Sequence, residues 1–94
     1  MDQVIFEAEF VIRGRVQLVM FRDFVRRKAK ALGLCGFVRN NPNGTVTILA
    51  QGGKEKLDML AVHLEEGPFL SKVESVSAAW RSLGQPYKNF TILY

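Results

Sequence analysis

The feature that most constrains this chain is the way its apolar period switches along a short length. From Val4 to Arg13 apolar and polar residues alternate, with Phe6, Ala8, Phe10 and Ile12 on one side and Glu7, Glu9 and Arg13 on the other. Period two is the mark of a half-buried strand. Phe21, Phe24, Val25, Ala29 and Leu32 then recur at helical spacing, and Gly33 supplies a stop. The spacing predicts a helix over about 22–32, with Asp23 in its first turn, where a carboxylate suits the helix dipole.

Period two returns in "CGFVRNN" and again in "TVTILAQG", separated by Asn41-Pro42-Asn43-Gly44. Proline pre-sets the bend and glycine accepts positive φ, so these two segments form a hairpin. After Gly52-Gly53, the stripe Leu57, Leu60, Ala61 and Leu64 predicts a second helix, closed by Gly67-Pro68. A strand over about 72–81, carrying Val76, Ala78 and Trp80 on one face, leads through the turn-rich "SLGQPYKN" to a last short strand, "FTILY". The order is β-α-β-β-α-β with a short C-terminal strand. Such an order predicts an α+β, ferredoxin-like sandwich, in which two helices cover one face of an antiparallel sheet. Ninety-four residues without repeats or linkers are expected to form a single domain, 1–94.

Charge narrows the function. Eight of the thirteen basic residues (Arg13, Arg15, Arg22, Arg26, Arg27, Lys28, Lys30 and Arg39) fall between positions 13 and 39, offset there only by Asp23. A concentration of this kind suits an anionic partner. Arg26, Arg27, Lys28 and Lys30 read as a solvated helix face. The single cysteine, Cys35, and the single histidine, His63, support neither a zinc site nor a Ser-His-Asp triad, and the acidic residues show no metal-binding pairing. There is no GxxxxGK[ST] phosphate loop. No apolar run is long enough for a membrane helix, and "MDQVIFEAEF" carries acidic residues where a signal peptide would be basic. The expectation is a soluble cytoplasmic protein.

What remains is the junction "GRVQLVMFRDF", Gly14 to Phe24. A compact loop running into a helix N-terminus turns unpaired N–H groups toward one point and adds the positive end of the dipole, which attracts anions. Arg22 stands at this entry with a planar guanidinium able to grip two oxygens. Asn40, at the end of the second strand, shares a face with Val38 and can reach the same point, whereas Arg39 points away. An amide there could hold a water and aim its lone pair. An asparagine just before a turn is also an ordinary turn residue, and both readings stay open on residue chemistry alone.

The quoted segments together carry a resemblance. "GRVQxVxFR", "A..LGL.GFVRN", "NGTV.I.AQG", "GP....V..V" and a terminal "F.I.Y" follow one another in the order and spacing of an acylphosphatase, over Phe10 to Tyr94. The resemblance implies the same ferredoxin-like fold. It further implies hydrolysis of small acyl phosphates to a carboxylate and inorganic phosphate, without a metal or other cofactor. The family's loop arginine falls on Arg22, which would bind the phosphoryl group. Its strand asparagine falls on Asn40, which would orient the attacking water. Backbone N–H groups of Arg15, Val16, Gln17, Leu18, Val19 and Met20 would complete the phosphate cradle.

One position departs from the family pattern: Leu18 stands where the motif has glycine. If positive φ is needed there, its Cβ costs on the order of 1 kcal/mol. As an alternative to such strain, Leu18 and Met20 together would form an apolar wall that selects the acyl group. A catalytically weak or inactive phosphate- or protein-binding domain is the alternative that Leu18 supports. An RNA-binding module shares the element order, but its stacking aromatics lie on the third strand, and "TVTILAQG" has none. The expected partner is therefore a small acyl phosphate, with no nucleic acid and no membrane, acting on a monomer.

Overall fold

The computed structural model describes residues 4–17 and 19–94, without the surroundings of the Val19 side chain. Seven elements follow in order: β1 (Phe6–Arg15), α1 (Val19–Ala31), β2 (Cys35–Asn40), β3 (Val46–Gly52), α2 (Lys54–Glu66), β4 (Lys72–Ser82) and β5 (Phe90–Leu93). The strands form one sheet in the order β4-β1-β3-β2-β5. The first four are antiparallel to their neighbours, and β5 joins the edge parallel to β2. The ferredoxin-like arrangement expected from the alternating periods is the one found.

Alternation explains which face the helices cover. Ala8, Phe10 and Ile12 of β1, Val38 of β2, and Val46, Ile48 and Ala50 of β3 are fully buried on a single side. Against them pack Phe21, Val25 and Ala29 of α1 and Leu57, Leu60 and Leu64 of α2, each also fully buried. Burial of one such large side chain contributes about 1.5–3 kcal/mol, so Phe21 pins the start of α1 to the sheet.

Two glycines hold strands where a side chain has no room. Gly14 takes φ +132° at the bulge where β1 changes register against β4, and a Cβ there would collide with the Lys72 carbonyl. Gly36 takes φ +141°, and a Cβ would strike the Leu49 carbonyl of β3. The first sets the path of the chain into the loop after Arg15; the second sets the spacing of β2 from β3.

Three expectations need correction. β1 runs past Arg13 to Arg15, because the bulge restores pairing of Gly14 with Val73 and Arg15 with Lys72. The helix begins at Val19, not near Arg22, so its first turn holds no acidic residue and Asp23 lies in the second. Asp23 instead pairs with Arg26 (2.6 Å) and Arg27 (3.0 Å) along the helix face. Finally, Glu7 is not on a solvated face. It is 5% exposed, because the chain between β4 and β5 lies over its end of the sheet: Gln51 Nε2 donates to Glu7 (2.8 Å) and to the Gln85 carbonyl (2.7 Å), and Tyr87 N–H donates to Gln51 Oε1 (2.9 Å).

Candidate active site

The sheet directions bring the sequence-predicted residues to one end. β1 and β2 both flank β3 antiparallel, so the end of β1, the end of β2 and the start of α1 meet there. Ile12 and Asn40 lie opposite the same residue, Val46. β5 runs parallel to β2 with Leu93 opposite Arg39, which brings Tyr94 to this end as well.

The loop is anchored at two points. Val16 is fully buried in the core. Gln17 is exposed, yet its Nε2 donates to the Asn41 carbonyl (2.6 Å) and the Thr45 carbonyl (2.8 Å), tying the loop to the β2–β3 turn. The sequence reading assigned Gln17 only a backbone role, because partners 24 and 28 residues away leave no local signal. Arg15 closes β1 and is exposed, Met20 is half-exposed in the first helical turn, and Val19 opens the helix. Leu18 lies outside the described residues, and with it the question of its φ and the apolar wall it would share with Met20.

Arg22 occupies the first turn of α1, where a cation is opposed by the helix dipole. It is half-buried, its Nε is fully enclosed, and that N–H has no partner among the described residues. Its guanidinium carbon sits 4.9 Å from the centre of the Tyr94 ring, a contact that the sequence did not disclose. Asp23 does not relieve it. Hydrogen bonding from Arg26 outweighs desolvation and, with Arg27, holds the Asp23 carboxyl below its ordinary range, so its charge is already engaged.

Asn40 stands apart from the hydrogen bonds that build the turn. The turn is built by its neighbours: Asn41 Nδ2 donates to Thr45 Oγ1 (2.9 Å) and Thr47 Oγ1 (2.7 Å), and Asn43 Oδ1 accepts from Thr45 N–H (3.2 Å). Asn40 takes no part among these bonds. Its Oδ1 is buried and unpartnered among the described residues. A buried acceptor without a partner costs about 1–3 kcal/mol, so its persistence needs a reason outside the fold. Arg39, as expected, points the other way and stacks its guanidinium over Phe37, 5.5 Å from the ring centre.

Among the described residues no group of three or more His, Cys, Asp or Glu side chains could hold a metal ion, and no helix is long and apolar enough to cross a membrane. His63 lies in the last turn of α2, where its carbonyl accepts from the capping Gly67 N–H (2.9 Å).

Known proteins match this fold and the sequence that makes it. The family model described as Acylphosphatase matches residues 8–92. The chain belongs to the acylphosphatase family. An acylphosphatase of Methanococcoides burtonii is 41% identical over 85 residues, covering 90% of this chain and 88% of that relative. One from Thermus thermophilus is 44% identical over 70 residues, covering 74% and 80%. The crystal structure of acylphosphatase from Bacillus subtilis superposes with a TM-score of 0.91 at 32% identity, over 95% of this chain and 99% of that one. As a family member the chain is an enzyme, a hydrolase of acyl phosphates.

Proposed function

We propose that the phosphoryl group of a small acyl phosphate is held by backbone N–H groups of residues 15–20 and by the Arg22 guanidinium, while Asn40 orients the attacking water. The observation that carries this reading is that two of the three buried side-chain polar atoms without partners among the described residues, Arg22 Nε and Asn40 Oδ1, belong to residues at the end of the sheet where the loop runs into α1. One is a cationic donor placed against a helix dipole, which a phosphate would relieve. The other is an acceptor, able to take one O–H of a water and leave its lone pair free for phosphorus.

The step balances without a protein acid or base. A bond forms from water oxygen to phosphorus as the bond from phosphorus to the acyl oxygen breaks, and the carboxylate leaves with that electron pair. Both water protons stay on the phosphate, so an acyl phosphate dianion and water give a carboxylate and dihydrogen phosphate. A carboxylate is a good leaving group, and what the site must supply is positioning and charge stabilisation. Donors and a guanidinium suit an anion and repel a cation, which supports turnover independent of metal or other cofactor. The same reading takes the protein as a cytoplasmic monomer whose partner is its small substrate, with no role in binding nucleic acid or membrane. The absence of aromatics on β3 supports the exclusion of RNA.

The test is hydrolysis of acetyl phosphate by chelator-treated protein. Turnover persists in chelator and inorganic phosphate inhibits competitively. Arg22→Ala lowers kcat/KM by on the order of 10³. A folded Arg22→Ala variant with the parental rate removes the mechanism. Phosphate binding with no turnover in the parent identifies a binding domain instead.

A further inference from the structure

The site has a continuation that the reaction so far does not use. Beside Arg22 lies a cavity of about 330 Å³, and next to it a second of about 410 Å³. They share Arg26, Ile92 and Tyr94, so they form one groove between α1 and the edge strand β5. Its helical wall carries Arg22, Arg26 and Lys30. These are successive i, i+4 positions, each about 6 Å further along the helix axis. The strand side is apolar at Ile92 and Tyr94.

Charge along this groove is positive. Three cationic side chains line it against one carboxylate side chain, Asp23, which is already paired with Arg26 and with Arg27. Arg26 keeps a donor in hand: its Nε is buried and unpartnered among the described residues. Lys30 is exposed and makes no salt bridge among them. A solvated helix face, the reading suggested by sequence, does not account for a buried guanidinium nitrogen on the wall of a groove that opens at the phosphoryl clamp.

We infer that Arg26 and Lys30 form a subsite for a second anionic group on the substrate, so that acyl phosphates of dicarboxylic acids are preferred over uncharged ones. The inference rests on Arg22 holding the phosphoryl end. With that end fixed, the acyl carbon enters the first cavity, over Ile92 and Tyr94. A carboxylate three or four bonds further on comes level with Arg26, and a longer acyl chain reaches Lys30, about 12 Å from Arg22 along the axis.

Two substrates of equal length separate charge from size: butyryl phosphate and the monophosphate anhydride of succinic acid. In the parent, kcat/KM is about tenfold higher for the succinyl compound, as a screened charge-assisted hydrogen bond allows. Arg26→Gln with Lys30→Gln brings that ratio to within about twofold of unity and leaves acetyl phosphate hydrolysis within about twofold of the parent. Adding Asp23→Asn to the pair removes any repulsion from the released carboxylate, and the ratio stays near unity. Equal kcat/KM for the two substrates in the parent, or equal loss on both in the variants, overturns the subsite. Calorimetry with 5-phosphonopentanoate, whose carboxylate lies as many bonds from phosphorus as that of the succinyl substrate, and with pentylphosphonate gives a second readout that needs no turnover. Tighter binding of the carboxylated ligand by the parent alone supports the subsite; equal binding overturns it. A parent that binds the phosphonates selectively but hydrolyses nothing refutes the proposed reaction, and not the groove.

Discussion

Two sets of buried polar groups among the described residues, one at each end of the sheet, are treated in opposite ways. Under the chain that joins β4 to β5, Glu7 and Gln51 are almost completely enclosed, and every contact is matched. Gln51 donates to Glu7 and to the Gln85 carbonyl and accepts from Tyr87 N–H, while Arg81 Nε donates to Glu7 Oε2 at 2.5 Å. Desolvation alone would raise the Glu7 pKa. The bonds from Gln51 and Arg81, the Arg81 charge and the Gly84 N–H outweigh it, and the carboxyl stays below its ordinary value. At the loop end of the sheet, Arg22 Nε and Asn40 Oδ1 are equally enclosed and have no partner among the described residues. A fold retains satisfied polar groups for its own stability, whereas unsatisfied ones oppose folding and persist where a ligand completes them. The first region serves the fold, and the second is where the proposed reaction places its ligand.

That contrast is broken most directly by substitutions that exchange the two outcomes. Asn40→Ala lowers kcat/KM by on the order of 10²–10³. Since Oδ1 accepts no hydrogen bond among the described residues, the change costs under about 0.5 kcal/mol of stability, a melting shift below about 4 °C. Thermal melts beside steady-state kinetics check both halves. A large stability loss would show that the amide is part of the fold.

Glu7→Ala should do the reverse. It removes the acceptor shared by Gln51 and Arg81 at a buried position and costs about 2 kcal/mol, or a melting temperature lower by roughly 8–16 °C. Arg81 is half-exposed and can rehydrate, which keeps the figure at this level. At a temperature where the variant is folded, kcat on acetyl phosphate stays within about twofold of the parent. A proportional loss of activity would join the two regions.

Acid separates them further. The Glu7 carboxyl has a depressed pKa in the folded protein, against an ordinary value of 4.5. The unfolded chain therefore takes up its proton first as pH falls. The stability this group contributes is complete above about pH 4.5 and is lost as pH drops through the lower, folded value. Melting of the parent and of Glu7→Gln across that window checks the sign: the gap between them is constant at neutral pH and closes in acid. A gap that widens in acid contradicts the assignment.

The fold was legible because its signals are local. Alternation in β1 and β3, the Leu57–Leu64 stripe and the Asn41–Gly44 turn each declare their element within a few residues. The start of α1 was not, because Val19, Met20 and Phe21 are apolar in succession and carry no capping residue to mark a beginning. Arg22 and Asn40 were legible as residue types in a pattern. Their unpaired state was not, since it depends on which neighbours the fold withholds. Glu7 was misplaced on a solvated face for the same reason: the segment that covers it lies more than seventy residues away. The lining of the groove by Arg26 and Lys30 was likewise invisible until β5 supplied the opposite wall.

Gln17 tests the smallest effect, and it lies between the two kinds of region. Its side chain is exposed but makes two long-range bonds, to the Asn41 and Thr45 carbonyls, at the base of the turn that follows Asn40. That side chain is a positioning group: it touches no reacting atom in the proposed step, whatever the Gln17 backbone contributes to the cradle, and it holds the loop against the strand that carries Asn40. Gln17→Ala frees two carbonyls that water can reach, so stability falls by less than about 1 kcal/mol. The loop then has to be ordered by the phosphate itself, which raises KM by about three- to tenfold and changes kcat little. Gln17→Glu separates tether from bulk. A carboxylate of the same shape cannot donate to either carbonyl and adds negative charge beside the phosphate, so its KM rises above that of the alanine variant. If glutamate instead restores the parental KM, the side chain acts by packing, and the loop is held by Val16 alone.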